Sequence, residues 1–272
     1  MTNGIIRTGR NDNMQIEKNT GSQARERLSL LFDDGIYSEI NSMVKEKDDL
    51  TGVVSAYGYV NGNAVYAFSQ DKTVNGGAVG NAQAAKIAKL YELAAKTGTP
   101  IVGIHDSDGA FVDGTAASLA AYGKMLNATS VVSGVVPQIS VIAGTCAGTA
   151  ALLACSSDFV IVTKESEFFA APNSSKGSAQ AAAESGIAAA VCDDDKAAIE
   201  KARDLVNIFP VNNWFVNTFH NIDKSIKVIT YHICKLPDII IYCYCIRNMD
   251  NSHTCRISSL NSIDTILNYY CL

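Results

Sequence analysis

The run from Ser130 to Thr163, SVVSGVVPQISVIAGTCAGTAALLACSSDFVIVT, changes its apolar pattern twice. Val135 to Ala143 is β-branched and apolar in the manner of a buried strand, Gly144 to Gly148 is a small-residue turn, and the alanine-rich segment beyond it is helical. The same succession occurs upstream. Ile101 to Ile104 predicts a short buried strand, His105 to Ala110 a glycine-bearing turn, and Gly114 to Leu126 a helix. Before that, Leu50 to Gln70 alternates as a hairpin about Asn61-Gly62, a pair suited to the positive φ angles of a tight turn. The loop from Ser69 to Gly80 then opens a helix over Ala82 to Lys96, closed by Gly98 and Pro100. Near the start, the stretch from Ala24 predicts an amphipathic helix with Leu28, Leu31 and Phe32 on one face, ended by Asp33-Asp34-Gly35. Later, Asp158 to Thr163 reads as a strand, Glu165 to Asn173 as a strand and exit loop, Ser178 to Glu184 as a helix, and Ile187 to Cys192 as a strand or turn. Asp193-Asp194-Asp195 caps an amphipathic helix from Lys196 to Ile208, stopped by Pro210. Strands alternating with helices over residues 50–210 predict a single α/β domain.

Composition divides the chain near Asn213. Residues 214–272 contain no glycine and no alanine, whereas all 20 glycines lie before them. They carry instead eleven isoleucines, five of the eight cysteines, three of the four histidines and the only tryptophan. Residues 1–23 are expected to be a flexible arm and 24–213 the folded body. The tail, 214–272, is expected to be frameshifted or disordered rather than an evolved domain. Hydrophobic content of 47%, charged content of 18% and a formal net charge of −5 describe a mildly acidic globular protein and give no sign of a nucleic-acid partner. No stretch reaches the roughly 18 apolar residues of a membrane span, and the start lacks a secretory apolar core. The expected location is the cytoplasm, with no insertion into a membrane. Cys146, Cys155 and Cys192, in small or apolar surroundings, read as reduced core thiols.

Two strand-turn-helix units suggest chemistry carried by the backbone. A tight turn beside a helix start aims N–H groups at one point, and two such turns on adjacent strands could each supply a donor to a shared oxyanion hole. An ordinary buried α/β core has the same pattern, so the periodicity alone leaves both readings open. A serine or cysteine hydrolase is disfavoured: His105 is the only histidine before residue 220, and no G-x-S-x-G elbow is present. His105 therefore reads as structural. Cys243, Cys245, His253 and Cys255 match no common zinc frame, and no metal is expected. Asp106 and Asp108 flank the first turn and either orient it or a ligand or cap the following helix, with Asp113 a few residues on.

The strings FSQDKTVNGGAVG, GTPIVGIHDSDGA, SGVVPQISVIAGTCAG and DFVIV occur in this order. Together they resemble the N-terminal half of the biotin-dependent acyl-CoA carboxyltransferases, the family of acyl-CoA carboxylase subunits and of the methylmalonyl-CoA and glutaconyl-CoA decarboxylases. The resemblance covers about Ala24 to Asn213. It implies the crotonase-like ββα superhelix and transfer of a carboxyl group between biotin and the α-carbon of an acyl-CoA, through a thioester enolate. By that resemblance the enolate is held by the amides of Gly109, Ala110, Ala147 and Gly148, and the CoA lies along Gly76, Gly77 and Gly80. The biotin is expected on a partner protein, with a separate C-terminal half or biotin carrier subunit as partner and a homo-oligomer as the assembly. Three places depart from the family's usual pattern. Asp108 and Phe111 stand in the first turn where glycine and arginine are usual, Thr145 stands for a proline, and Thr149 for a second glycine. The competing expectation is a CoA-binding or assembly module without turnover.

Overall fold

The computed structural model describes residues 22–46, 49–111, 116–170 and 177–212, together with the backbone of 115, 242–244 and 256–258. The chain enters through helix α1 (Gln23–Leu31), whose Leu28 and Leu31 are buried as the apolar spacing requires. Strand β1 (Tyr37–Ile40) follows, then a small ribbon of β2 (Lys45–Glu46) and β3 (Asp49–Leu50). The hairpin is β4 (Val53–Val60) and β5 (Asn63–Gln70), turning at Asn61 and Gly62 with φ of 51° and 77°. Helix α2 (Asn81–Thr97) ends on Gly98 in the left-handed conformation. Next come β6 (Ile101–Ser107), α3 (Thr115–Val132), β7 (Gln138–Ala147), α4 (Thr149–Cys155), β8 (Phe159–Thr163) and β9 (Glu167–Phe169). The body closes with α5 (Ala179–Glu184), β10 (Ala190–Cys192) and α6 (Asp195–Ile208), the last capped by the Asp194 side chain on Ala197 N–H.

One sheet joins these strands in the order β1-β4-β5-β6-β7-β8-β10, with β9 on the far end of β7. β1, β4 and β5 pair antiparallel, whereas β5 through β10 pair parallel. Both faces are covered, which the period-2 alternation explains. In β8, Phe159 and Ile161 pack toward α1 and α6, while Val160 and Val162 pack toward α2, α3 and α4. In β5, Val65 and Ala67 face the first layer, and Tyr66 and Phe68 the second.

Asp34 and Gly35, with φ of 54° and 67°, turn the chain out of α1 where the sequence ends the helix, and the stretch beyond, to which the sequence assigned no element, forms strand β1. Two expectations change. Helix α3 continues to Val132, so the strand expected from Val135 begins at Gln138. That strand does not break at Gly144 but runs on to Ala147. A Cβ at Gly144 would stand 2.1 Å from Asp106 Oδ1, so this glycine serves close packing and the turn falls at Gly148. In the tail, the short strand Tyr242–Tyr244 pairs antiparallel with Arg256–Ser258. The remaining tail expectations, and the arm over 1–21, lie outside the described residues.

Candidate active site

The two glycine turns lie side by side because β6 and β7 are parallel neighbours. Ile101 to His105 pair with Gln138 to Ile142, the register then jumps, and Ser107 pairs with Cys146. The jump is a bulge in β7, and a side chain fills it. Asp106 accepts from Thr145 N–H at 3.3 Å through Oδ1 and from the Arg27 guanidinium at 2.9 Å through Oδ2. Arg27 also donates to Asp195 at 2.7 Å and to the Ala143 carbonyl at 3.4 Å. Arg27 and Asp106 are 5% and 4% exposed, so the pair is desolvated and its hydrogen bonds must compensate. The Asp106–Arg27 pair thus fastens β6, the bulge of β7, α1 and, through Asp195, α6 at the base of both turns. A bulge of this kind re-aims the strand end it precedes.

At the first turn, Gly109 has φ +116°, and its N–H donates to Ser107 Oγ at 3.1 Å. The Gly109 carbonyl accepts from Val79 N–H at 2.8 Å, and Phe111 N–H donates to the Val79 carbonyl at 3.0 Å. Ala110 lies between these bonds and is exposed; among the described residues its N–H has no acceptor. At the second turn, Ala147 is paired opposite Phe169, and Gly148, φ +62° and ψ −125°, precedes α4. Gly148 N–H donates to the Phe169 carbonyl at 2.8 Å. Among the described residues, nothing lies within 4 Å of where a Cβ would stand on Gly109 or Gly148.

The glycine loop packs directly on the first turn. Asp108 N–H donates to the Gly76 carbonyl at 2.9 Å, and Ser107 Oγ donates to the Gly77 carbonyl at 2.8 Å. A Cβ on Gly77 would stand 2.6 Å from the Asp106 carbonyl, and one on Gly76 2.7 Å from Asp108 Oδ2. Both have φ +65°. Gly80 leaves room for Glu46, whose Oε2 accepts from Ala82 and Gln83 N–H at 2.7 and 3.3 Å. The start of α2, a place where a phosphate would be stabilised, is therefore capped by a carboxylate of the chain itself. Asp71 is buried and accepts from Thr73 N–H at 3.1 Å and from Ser22 Oγ. Beside it, Lys72 Nζ lies 2.9 Å from Asp108 Oδ1 and donates to Thr145 Oγ1 at 3.0 Å. The Asp108 hydrogen bond raises the lysine's affinity for its proton above the usual value.

His105 is 2% exposed, stands edge-on to Phe68 and is 3.2 Å from Ser140 Oγ. Burial lowers its pKa to about 4, so the ring is neutral at pH 7. Burial also raises the Cys146 thiol well above the ordinary range, which leaves it unreactive. Asp113 and the cysteine and histidine side chains of the tail lie outside the described residues. The sequence missed Arg27, Glu46 and Lys72. Arg27 carried a signal, being a cation beside Leu28 and one turn before Leu31 on a buried helical face. Glu46 and Lys72 carried none, because their partners are remote in sequence.

Residues 17–231 match the model of the carboxyl transferase domain. The methylmalonyl-CoA decarboxylase subunit alpha of Propionigenium modestum is 39% identical, over 73% of this chain and 44% of its own length. The propionyl-CoA carboxylase beta chain of Roseobacter denitrificans is 36% identical, over 70% of this chain and 42% of its own. Among solved structures, the transcarboxylase 12S hexamer with hydrolysed methylmalonyl-CoA bound superposes with a TM-score of 0.67 at 35% identity. That match covers 75% of this chain and 44% of the other. A Pseudomonas malonate decarboxylase hetero-dimer shares the fold, with a TM-score of 0.61 at 24% identity. The chain spans less than half the length of these curated relatives. The architecture is the crotonase-like α/β fold.

Proposed function

The chain belongs to the carboxyl transferase domain family, and on that premise we propose that it is the acyl-CoA-binding half of a biotin-dependent carboxyltransferase. The observation that carries this reading is the pair of glycine turns on adjacent parallel strands, with no described residue within 4 Å of a Cβ on Gly109 or Gly148 and with the Ala110 amide lacking an acceptor among the described residues. The thioester oxygen is received by amides drawn from Gly109, Ala110, Ala147 and Gly148. When the bond from the α-carbon to the carboxyl carbon breaks, its electron pair passes to the α-carbon and delocalises onto that oxygen. In the opposite direction the enolate carbon forms the bond, and the same amides release the charge. Each donor of this kind contributes about 3 kcal/mol to holding a developing oxyanion. Ala110 is ready as it stands, whereas Gly148 exchanges the Phe169 carbonyl for the ligand oxygen. The CoA runs along Gly76, Gly77 and Gly80, with its phosphates kept off the α2 amides that Glu46 occupies.

Biotin, carried on a partner protein, supplies the carboxyl donor or acceptor, and its binding surface is assigned to a separate C-terminal half. The subunit and chain names of the relatives support such a partner, and the hexamer of the transcarboxylase supports a homo-oligomer. The proposed location is the cytoplasm; no helix among the described residues is long and apolar enough to cross a membrane.

A second reading, a CoA-binding or assembly module without turnover, is favoured by the Gly148 amide already bonded to Phe169 and by the acid at position 108. Decarboxylation of methylmalonyl-CoA and carboxyl transfer to free biotin, measured with and without a supplied C-terminal half, separate the two. Turnover that appears when the second half is added is expected. CoA-thioester binding with no turnover in any combination establishes the second reading instead.

A further inference from the structure

The glycine loop delivers a cation to the space between the two turns. Lys72 Nζ contacts Asp108, two residues before Ala110, and Thr145, two residues before Ala147. The ammonium therefore borders the backbone assigned above to the thioester oxygen. The Lys72 and Asp108 side chains are 41% and 57% exposed, so a ligand can reach both. Arg27, by contrast, is buried against Asp106 and Asp195, with both carboxylates already paired to it. An ion pair as exposed as Lys72 with Asp108 is weak, because water screens it and two mobile side chains are restrained to form it. A ligand carboxylate displaces Asp108 with little loss. The surroundings otherwise disfavour anions, since Glu167 Oε2 lies 3.5 Å from the same Thr145 hydroxyl. Lys72 is thus the attractive element and Asp108 the group that restrains it.

We propose that Lys72 determines specificity for the acyl group, its ammonium exchanging Asp108 for the carboxylate of a carboxylated acyl-CoA. The inference rests on the acyl-CoA reading above and adds to it a side chain that distinguishes carboxylated from uncarboxylated thioesters. Asp108 sets the strength of that distinction by competing for the same ammonium.

Methylmalonyl-CoA and propionyl-CoA differ by the carboxylate alone, and their affinities for the full chain are compared by titration calorimetry. Lys72→Met is expected to weaken methylmalonyl-CoA roughly tenfold and leave propionyl-CoA unchanged, the scale of one charge-assisted hydrogen bond. Asp108→Asn, which frees the ammonium, is expected to strengthen methylmalonyl-CoA by roughly fivefold on the same scale. Opposite movement of the affinity ratio in the two variants is the supporting result. A ratio unmoved by either variant, or equal shifts for both thioesters, overturns the inference and leaves the acyl-CoA reading standing. Wild-type protein that binds neither thioester overturns both.

Discussion

Arg27 neutralises two carboxylates at once, and its removal is a stringent residue-scale test of what holds the turns together. Arg27→Met leaves Asp106 buried without its cation, and breaking a buried pair from one side costs about 3 to 5 kcal/mol. Urea unfolding should show that loss, and a change under about 1 kcal/mol would mean that water, not the guanidinium, satisfies Asp106. His105 gives a second test, through pH. Its folded pKa of about 4 lies below the ordinary 6.5, so the unfolded state binds more protons between these values. Stability then rises with pH across that window and is lost as pH falls from 6.5 toward 4. From pH 7.5 to 5.5, above the range of most carboxylates, the loss from this ring is about 1.4 kcal/mol. His105→Gln should flatten the dependence, and an unchanged slope in the variant would place its origin elsewhere.

At the scale of elements, the decisive contact is the approach of β7 to the Asp106 carboxylate. Gly144→Ala places a methyl group 2.1 Å from Asp106 Oδ1 in the present geometry, so the bulge must shift or the carboxylate must leave Arg27. A destabilisation of at least about 2 kcal/mol is expected in urea unfolding; a neutral outcome would show the bulge to be pliable. The same position shows where the sequence was legible. The hairpin, helices α2 and α6 and strands β6 and β8 were readable, because turn residues and periodicity are local signals. So was the presence of two glycine turns, whereas Asp106 was left between orienting the first turn and capping the next helix until its bonds to Arg27 and Thr145 were seen. Gly144 misled because a glycine required by a remote carboxylate is indistinguishable in sequence from one required by a turn. Strand β1 was obscured for a related reason. Its burial is intermediate rather than alternating, so the Tyr37–Ile40 stretch carries no clean period. Glu46 capping α2 and Lys72 bridging two turns are products of the fold, visible only once β2, the loop and the strands meet.

For the whole molecule, we propose that the folded body ends near Asn213, where the composition breaks, although the family match continues to residue 231. Limited proteolysis of the full chain should accumulate a fragment ending close to Asn213, and a tail as protected as the body would contradict this boundary. The body is closed by α6, which brings Asp195 to Arg27 and Arg203 to Asp33, so both ends of the body fasten the layer beneath the turns. Above that layer, β9 gives the second turn a property of its own. The Phe169 carbonyl already occupies the Gly148 amide. A substrate thioester oxygen that replaces it trades one neutral acceptor for another and gains little in the ground state. An enolate oxygen, carrying negative charge, outcompetes the carbonyl. In the proposed reaction Phe169 is then an internal competitive inhibitor of substrate binding at that amide but not of the charged intermediate, so the exchange favours reaction progress over mere occupancy.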